Sequence, residues 1–256
     1  MTILAAAAAV IRCFGPDCSG LTVTDLVNRL AMPKSNASRL LRTMRDVGLL
    51  ETIGETKRYR PGMMLVDAAR VYLSSSSLIE RAAAAVAEVS QACGHTGYVS
   101  IREGVMVTAV SDHPGSNPLR VVSNIGRRVR ADASATGRAL LARLDDAAVR
   151  ALYPRGLAPS APEAPQTIEE LLARLREARR EGFAISHEET TRGVTGLATA
   201  VCDPSTGEEV SLCIVCPTGT TERAEHLAIA GELKRRAAAI AALTGDAVAA
   251  RTGSGT

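Results

Sequence analysis

The sequence predicts an α+β protein with a small helical N-terminal part and a larger C-terminal part built on an antiparallel sheet. Apolar residues recur at helical spacing as far as Cys93, and from His95 the spacing changes to the alternation that is typical of strands. Three strand-like segments, several helices, three more strand-like segments and a long terminal helix then follow. This order predicts an antiparallel sheet with helices packed on it.

An apolar run at residues 3–11 predicts the first helix. No positively charged region precedes the run, and it is much shorter than the roughly 20 residues that span a bilayer, so we expect neither a signal peptide nor a membrane span. We expect this helix to be buried in the N-terminal part, with these apolar side chains facing inward: Ile3, Ala7, Val10, Ile11 and Phe14. No other segment is apolar enough to cross a membrane, and we expect a cytoplasmic protein.

Residues 22–62 predict two helices around a tight turn, followed by a hairpin. The first of these helices is expected over 23–30, because Thr22 is a suitable N-cap and Asp25 is an acid in the first turn. Met32-Pro33 ends it, since proline cannot continue a helix.

The second helix of this segment is expected from about Ser35 to Val47, where Gly48 is a typical stop. Four apolar residues recur along it at helical spacing: Ala37, Leu40, Leu41 and Met44. The opposite face is polar and basic. One face is therefore expected to pack in a core while the other meets solvent or a partner.

A short basic hairpin is expected after the second helix. Residues 49–51 form its first strand, Gly54-Glu55 its turn, and 57–60 its returning strand. Helix, turn, helix and hairpin in this order predict a winged helix-turn-helix, in which the second helix enters the DNA major groove and the wing contacts the backbone. The candidate DNA-binding residues are Lys34, Ser35, Asn36, Ser38, Arg39, Arg42, Lys57 and Arg58.

The charge distribution agrees with binding to duplex DNA. Residues 22–62 contain eight basic and four acidic residues, whereas the whole chain has a net charge of only +3. A positive charge confined to one small module is typical of a nucleic-acid-binding protein. Aromatic residues make up 2% of the chain, which argues against a protein that binds single strands by stacking on their bases.

Six cysteines raise the question of a metal site or a disulfide. Cys213 and Cys216 have CxxC spacing, but their segment predicts a buried strand, in which residues three apart point to opposite faces. Cys13 and Cys18 flank a turn with no histidine nearby. We expect no metal, no cofactor and no disulfide, because a small buried hydrophobic residue is the usual role of a cytosolic cysteine.

The remainder of the chain is expected to contain a linker helix and then the sheet domain. The linker helix covers about 63–73, Ser74–Ser77 forms a break, and a second helix covers 79–93. Strands are expected at 95–101, 106–111, 119–123, 183–188, 197–202 and 209–216. Helices are expected at 134–144, at 147–153 after the cap Asp145, from Thr167 to Gly182, and from the cap Thr221 to about Leu243. The tail, Thr252–Thr256, is expected to be disordered.

At this point the chain resembles the isocitrate lyase regulator (IclR) family of bacterial transcription factors. The residues that carry the resemblance are MPKSNASRLLRTMRDVGLL and KRYRPG in the first part, and NPLRVVSNIGRRVRADASATGRALLA, ARREGFAISHEETTRGVTGLATAV and CIVCP in the second. The resemblance covers roughly residues 3–245 and depends on the order and spacing of these segments.

The resemblance implies a winged helix-turn-helix domain over 1–62, a linker helix over 63–78, and an effector-binding and oligomerisation domain of GAF-like fold over 79–250. It also implies a homodimer or a tetramer formed by two dimers. The implied effector pocket consists of Ser134, Ala135, Thr136, Ser186, Val194, Gly196, Cys213 and Val215. A helix N-terminus at residues 134–136 would offer free N–H groups to a carboxylate, although Ser134 is equally well explained as a simple N-cap.

The implied pocket is less polar than that of family members that bind small hydroxy- or keto-acids. Those members carry Asp at the position of Ser186, a polar or polarizable residue at that of Gly196, and serines at those of Cys213 and Val215. We therefore expect a larger and more apolar organic acid as the effector.

Two alternatives to an effector-controlled regulator remain open. One is a DNA-binding dimer whose C-terminal domain binds nothing. The other is an enzyme, for which the only candidate clusters are His187-Glu188-Glu189 and Cys93-Gly94-His95. We expect no enzyme, since the sequence contains no nucleophile elbow, phosphate-binding loop or metal triad.

Overall fold

The computed structural model describes residues 2–15, 18–122, 125–158 and 161–249. It divides into two compact units that separate between Ser75 and Ser76, which we call the N-terminal unit and the C-terminal unit. The N-terminal unit contains a helix-turn-helix and a hairpin, and the C-terminal unit contains an antiparallel sheet with helices. The fold class is therefore α+β, as the sequence predicts.

The N-terminal unit follows the predicted order of elements. They are α1 (Ile3–Ile11), α2 (Val23–Leu30), α3 (Lys34–Asp46), β1 (Leu50–Thr52), β2 (Tyr59–Pro61) and α4 (Met63–Ser75). Thr22 and Asp25 form the capping box that begins α2: the Asp25 N–H donates to Thr22 Oγ1 at 3.2 Å, and the Thr22 N–H donates to Asp25 Oδ2 at 2.8 Å. Ala31 ends α2 in the left-handed conformation, with φ of 50°.

The core of the N-terminal unit forms around α3. All four predicted apolar residues of this helix are buried, and they pack with these residues of the other elements: Ala6, Val10, Leu21, Leu26, Leu50 and Tyr59. In α1, Ala6 and Val10 are buried, but Ile3 is 67% exposed. The prediction that Ile3 faces inward is wrong, because the first turn of α1 extends past the small core.

The C-terminal unit is built on one six-stranded antiparallel sheet. Its strands are β3 (Thr96–Glu103), β4 (Met106–His113), β5 (Arg128–Arg130), β6 (Ala184–His187), β7 (Val194–Asp203) and β8 (Glu208–Pro217), in the spatial order β5-β4-β3-β8-β7-β6. The helices are α5 (Ser77–Cys93), α6 (Ala135–Leu141), α7 (Asp146–Leu152), α8 (Ile168–Glu181) and α9 (Arg223–Thr244).

Helices cover both faces of this sheet. A Cβ added to Gly97 in β3 would touch Val86 of α5, so Gly97 faces α5, and α5 in turn packs beside α9. Tyr98 is the next residue and points to the other face, because side chains alternate along a strand. That second face carries α6, which packs against α8. A cavity between the sheet and α6 opens on this second face.

One predicted strand is wrong. Residues 119–122 have no regular structure, and Ser123 lies outside the described residues. This segment does not pair with a strand. Instead, the side chain of Thr96 holds it, because Thr96 Oγ1 donates to the Val121 carbonyl at 2.7 Å. The third strand of the sheet is β5, which pairs with β4 from Thr108↔Arg128 to Met106↔Arg130.

Several predicted helix ends are displaced by one to three residues. The break at Ser74–Ser77 is reduced to Ser76, whose Oγ accepts the Ile79 N–H at 3.1 Å and caps α5. Glu222, not Thr221, occupies the N-cap position of α9. The predicted disordered tail lies outside the described residues. No helix in the described ranges is long and apolar enough to cross a membrane.

Candidate DNA-binding surface and ligand cavity

The polar face of α3 lies on the surface of the N-terminal unit. Five of its predicted DNA-binding residues are exposed (Lys34, Ser35, Asn36, Arg39 and Arg42), and Ser38 is half-buried. The buried stripe on the opposite side of α3 fixes this orientation. The helix begins one residue earlier than predicted, so Lys34 belongs to its first turn.

The N-terminus of α3 has no side-chain cap. Pro33 occupies the N-cap position and makes no capping hydrogen bond. In the described part of the chain, the N–H groups of Lys34, Ser35 and Asn36 therefore have no partner. Unpaired N–H groups and the positive end of the helix dipole favour an anion such as a DNA phosphate.

The basic side chains of α3 differ in whether they contact other residues of the protein. Arg42 Nη2 donates to Ser38 Oγ at 3.0 Å, and Arg45 pairs with Asp46 at 2.7 Å. Among the residues described, Lys34 and Arg39 have no such partner. These two are the most available cations of this helix.

The hairpin places Lys57 and Arg58 differently from the prediction. The returning strand begins at Tyr59, so Lys57 lies in the turn, while Arg58 still pairs through its carbonyl with the Ile53 N–H at 3.0 Å. Arg58 Nη2 donates to the Gly20 carbonyl at 3.1 Å, which ties this side chain to its own fold. Lys57 is exposed and makes no comparable contact within the described ranges.

A cavity opens in the C-terminal unit between the sheet and α6. It contains about 650 Å³ of atom-free space, part of it open to solvent. Seven of the eight residues predicted for the effector pocket line it: Ser134, Ala135, Thr136, Ser186, Val194, Gly196 and Val215. The three segments that carry them are far apart in sequence, and the curled sheet brings them together.

Cys213 does not line the cavity. It lies beside Tyr98, its partner across β3 and β8, and the two side chains share a hydrogen bond. Burial raises the pKa of the Cys213 thiol to about 12, and burial together with the neighbouring thiol raises that of Tyr98 well above its usual value. Both groups are therefore neutral at physiological pH, and Tyr98 forms the wall at this point.

The N-terminus of α6 is already capped. Ser134 Oγ accepts the Gly137 N–H at 3.2 Å and donates to the Arg130 carbonyl at 2.9 Å. The helix has only seven residues, which limits its dipole. A carboxylate at this helix end would contact the N–H groups of Ala135 and Thr136, which carry no charge.

Sequence reasoning missed ten other residues of the cavity wall. They are Tyr98, Ser100, Val107, Ala109, Val121, Val122, Arg127, Val129, Thr190 and Thr191. The alternation in β3 and β4 could have identified the first four, because it predicts which residues share a face. No local signal indicates Arg127, whose Nη2 donates to Thr191 Oγ1 at 3.0 Å.

A buried ion pair holds the loop that carries Thr190 and Thr191. Arg138 of α6 is 1% exposed, and its Nη2 donates to Glu189 Oε1 at 2.8 Å. Its guanidinium also donates to the carbonyls of Asp132 and Ile185. The neighbouring Glu188 has φ of 56°, a conformation that is uncommon for a residue other than glycine.

The two candidate catalytic clusters are engaged elsewhere. His187 Nδ1 lies 3.2 Å from Thr195 Oγ1, and Glu189 belongs to the ion pair with Arg138. His95 Nε2 lies 2.8 Å from Glu225, on the α9 side of the sheet. In the described part of the chain, no group of three or more His, Cys, Asp or Glu residues could hold a metal ion.

A winged helix-turn-helix joined to an α+β unit with an internal cavity defines a class of protein, the ligand-binding transcriptional regulators. Residues 70–242 match the family model described as the C-terminal domain of bacterial transcriptional regulator IclR, and residues 4–54 match the IclR helix-turn-helix domain. The chain belongs to the IclR family of transcriptional regulators.

Individual relatives agree with this assignment. The chain is 27% identical to the HTH-type transcriptional regulator XynR of Escherichia coli K12 over 220 residues, which cover 84% of this chain and 86% of the relative. The solved structure of an IclR transcriptional regulator from Alicyclobacillus acidocaldarius has a TM-score of 0.83 at 24% identity, covering 95% of this chain and 98% of that one. An IclR homologue from Microbacterium hydrocarbonoxydans, solved in complex with 4-hydroxybenzoate, has a TM-score of 0.76 at 23% identity, covering 93% and 97%. The two structures support the fold.

Proposed function

We propose that this regulator binds a specific DNA operator through residues 1–62 and a small organic acid through residues 79–250, and that the acid changes its affinity for the operator. Residues 63–78 link the two functions. The observation that carries the effector proposal is the cavity, because seven residues from three separate segments converge on it. The proposal assigns the protein no catalytic activity and places it in the cytoplasm, where bacterial DNA lies.

The lining of the cavity favours an acid with an apolar body. Valine and alanine side chains form much of the wall, and hydroxyl groups of serine, threonine and tyrosine are spread among them. No aspartate or glutamate is among the described residues that line it, so an anion meets no like charge there. The atom-free space of about 650 Å³, part of it open to solvent, leaves room for an acid larger than two carbons.

The relative that was solved with 4-hydroxybenzoate supports this size class. An aromatic monocarboxylate combines an apolar ring, one negative charge and a neutral hydroxyl group. The apolar walls favour the ring, and the scattered hydroxyl groups favour the hydroxyl group of the ligand. The negative charge is favoured because no acidic residue is among the described residues that line the cavity.

For DNA, we propose that α3 lies in the major groove with Asn36, Ser38 and Arg39 towards the bases. Lys57 and Arg58 contact phosphates from the hairpin. The uncapped N-terminus of α3 supports this orientation, because its N–H groups are available to a phosphate.

A homodimer, or a tetramer of two dimers, is the proposed assembly. α4 has no buried residue and exposes Met63, Met64, Val66, Val71 and Tyr72, and α1 exposes Ile3 and Leu4. Exposed apolar patches of this kind mark interfaces. A two-fold dimer would recognise a partly palindromic operator.

The test begins by selecting an operator from a random duplex library with the full chain. Operator affinity is then measured by fluorescence anisotropy with benzoate, 4-hydroxybenzoate, octanoate and glyoxylate. We expect at least one of the three larger acids to change the affinity, and glyoxylate to have little effect. Operator binding that none of the acids alters would contradict the effector proposal and favour a C-terminal unit without a ligand.

A further inference from the structure

We propose that Arg127 binds the carboxylate of the effector at the mouth of the cavity and so determines its selectivity for monoanions. This inference rests on the proposed function and specifies the charge and the orientation of the ligand.

The first support is the charge of the cavity wall. Arg127 is the single charged side chain among the described residues that line the cavity. Every other lining residue is apolar or carries a neutral hydroxyl group. A wall with one cation and no carboxylate is complementary to a ligand with one negative charge.

The second support is a contrast among neighbouring arginines. Arg128 pairs with Glu103 at 2.9 Å, and Arg130 pairs with Asp132 at 3.0 Å. Arg127 makes no ion pair with any described residue, although it belongs to the same short segment. Its neighbours serve the structure, whereas the charge of Arg127 is left for a ligand.

The third support is the position of Arg127 between the two edges of the sheet. It precedes β5 at one edge, and Thr191 follows β6 at the other edge. The hydrogen bond of 3.0 Å between them therefore spans the mouth of the cavity. A guanidinium has five N–H donors, so this bond leaves others for a bidentate contact with a carboxylate.

The charge of Arg127 also acts on the interior of the cavity. It opposes the rise in the pKa of Tyr98, whose side chain forms part of the wall. By comparison, the seven-residue helix α6 offers only neutral N–H groups, and Ser134 already occupies one of them. Because both partners of a guanidinium–carboxylate contact are charged and the contact can be bidentate, Arg127 is the preferred partner of the carboxylate.

This arrangement orients the ligand. The carboxylate lies at Arg127, the apolar body lies against Val129, Val194 and Val215, and a neutral polar group can reach Ser134 or Ser186. A second carboxylate on the ligand would be buried without a cation, which is strongly unfavourable. The cavity therefore selects monocarboxylates over dicarboxylates and over neutral analogues.

The experiment compares acids with their amides by calorimetry on the full chain. The probes are benzoate, 4-hydroxybenzoate and octanoate, each beside its primary amide and with terephthalate as a dicarboxylate. For the acids that bind the wild type, we expect Arg127→Gln to weaken binding about 10- to 100-fold and Arg127→Lys to weaken it less, while the affinity for the amides changes less than about 3-fold. Arg128→Gln is the matched control and should leave all affinities unchanged.

The outcomes separate this inference from the proposed function. Acids that bind wild type and Arg127→Gln equally well would overturn the role of Arg127 and leave the effector proposal intact. Terephthalate binding as well as benzoate would also overturn the inference. A wild-type protein that binds none of the acids would overturn both.

Discussion

The candidate DNA-binding surface and the candidate ligand cavity differ in what holds their side chains in place. Most of the predicted DNA-binding residues lie on one helix, α3, where most of their side chains are exposed and the buried stripe behind them fixes the polar face. In the cavity, the wall comes from segments between Tyr98 and Val215, and contacts across the fold position it, such as those of Arg127 with Thr191 and of Arg138 with Glu189.

This difference separates what local sequence can specify from what requires the tertiary fold. A helix places residues at fixed angles, so a buried stripe on one side determines the other side as well. The cavity exists only once the two edges of the sheet approach each other. The predictions below test whether the packing of α3 determines the surface on it, and whether the cavity depends on contacts between distant parts of the fold.

The largest effect is expected from the ion pair that supports the cavity. Arg138→Met should destabilise the C-terminal unit by about 3–5 kcal/mol, because Glu189 stays buried and loses its closest cation, while Arg174 lies farther away, at 3.8 Å. Hydrogen exchange of the full chain should show the loss over α6 and β6, with the N-terminal unit unaffected.

The control for this prediction is Arg176→Met, at an arginine whose side chain is 62% exposed and 3.5 Å from Asp146. Its effect should stay within about 0.5 kcal/mol. A second variant, Arg138→Met with Glu189→Gln, should recover part of the loss, since the buried charge is removed. A loss below about 1 kcal/mol in the first variant would mean that the pair does not hold the cavity together.

The next effect is expected in the N-terminal unit. Leu41→Ala should cost about 2–4 kcal/mol, because Leu41 is fully buried behind the polar face of α3. Operator binding should be lost while acid binding to the C-terminal unit remains. Val47→Ala, at a residue that is 51% exposed, is the control. Loss of acid binding in Leu41→Ala would show that the two sites are not separable.

The sequence determines the two regions to different extents. The bounds of α2 and α3, the N-cap Thr22 and the buried stripe of α3 follow from local spacing, and the structure has them within one residue. The predicted strand is wrong over residues 119–122, where the Thr96 side chain, and not a neighbouring strand, bonds the Val121 carbonyl. Arg127 could not be predicted, since its role depends on two sheet edges that meet only in the fold.

A third effect concerns the size of the ligand. A Cβ added to Gly196 would lie 3.0 Å from Ser186 Oγ and 3.4 Å from Ala135 Cβ, in the cavity wall. Gly196→Val should therefore weaken the binding of 4-hydroxybenzoate by about 1–3 kcal/mol, because the added methyl groups overpack the occupied cavity.

Calorimetry with acids of increasing size tests this effect, and smaller acids should be less affected. Gly231→Ala in α9 is the control, since an added Cβ there meets nothing within 4 Å. If the affinity for 4-hydroxybenzoate were unchanged in Gly196→Val, the acid would bind away from this wall.

A smaller effect is expected at the wing. Lys57→Ala should weaken binding to all DNA sequences alike and lower the slope of log affinity against log salt by about one unit, because one phosphate contact is lost. Arg58→Ala should lower the slope similarly and also reduce stability, since Arg58 holds the Gly20 carbonyl. Titrations at several salt concentrations, on operator and on unrelated duplex, make the measurement. A change confined to one base pair of the operator would contradict the assignment of Lys57 to phosphate.

The smallest effects are expected at two backbone positions, one beside each site. Ala31 ends α2 with φ of 50°, and Glu188 begins the loop over the cavity with φ of 56°. A left-handed conformation costs a residue with a Cβ about 1–2 kcal/mol, whereas glycine adopts it freely but adds about 0.5–1 kcal/mol of unfolded-state entropy. Ala31→Gly should therefore stabilise the N-terminal unit by about 0.5 kcal/mol, and Ala31→Val should destabilise it by more than that, because a β-branched residue is strained at positive φ. Glu188→Gly should give the same small gain in the C-terminal unit.

Hydrogen exchange of the full chain locates each change in its own unit. We expect operator binding to stay unchanged in Ala31→Gly, because the buried stripe of α3 already holds this helix. If the gain in stability came with weaker operator binding, the strained turn would also position α3 on DNA.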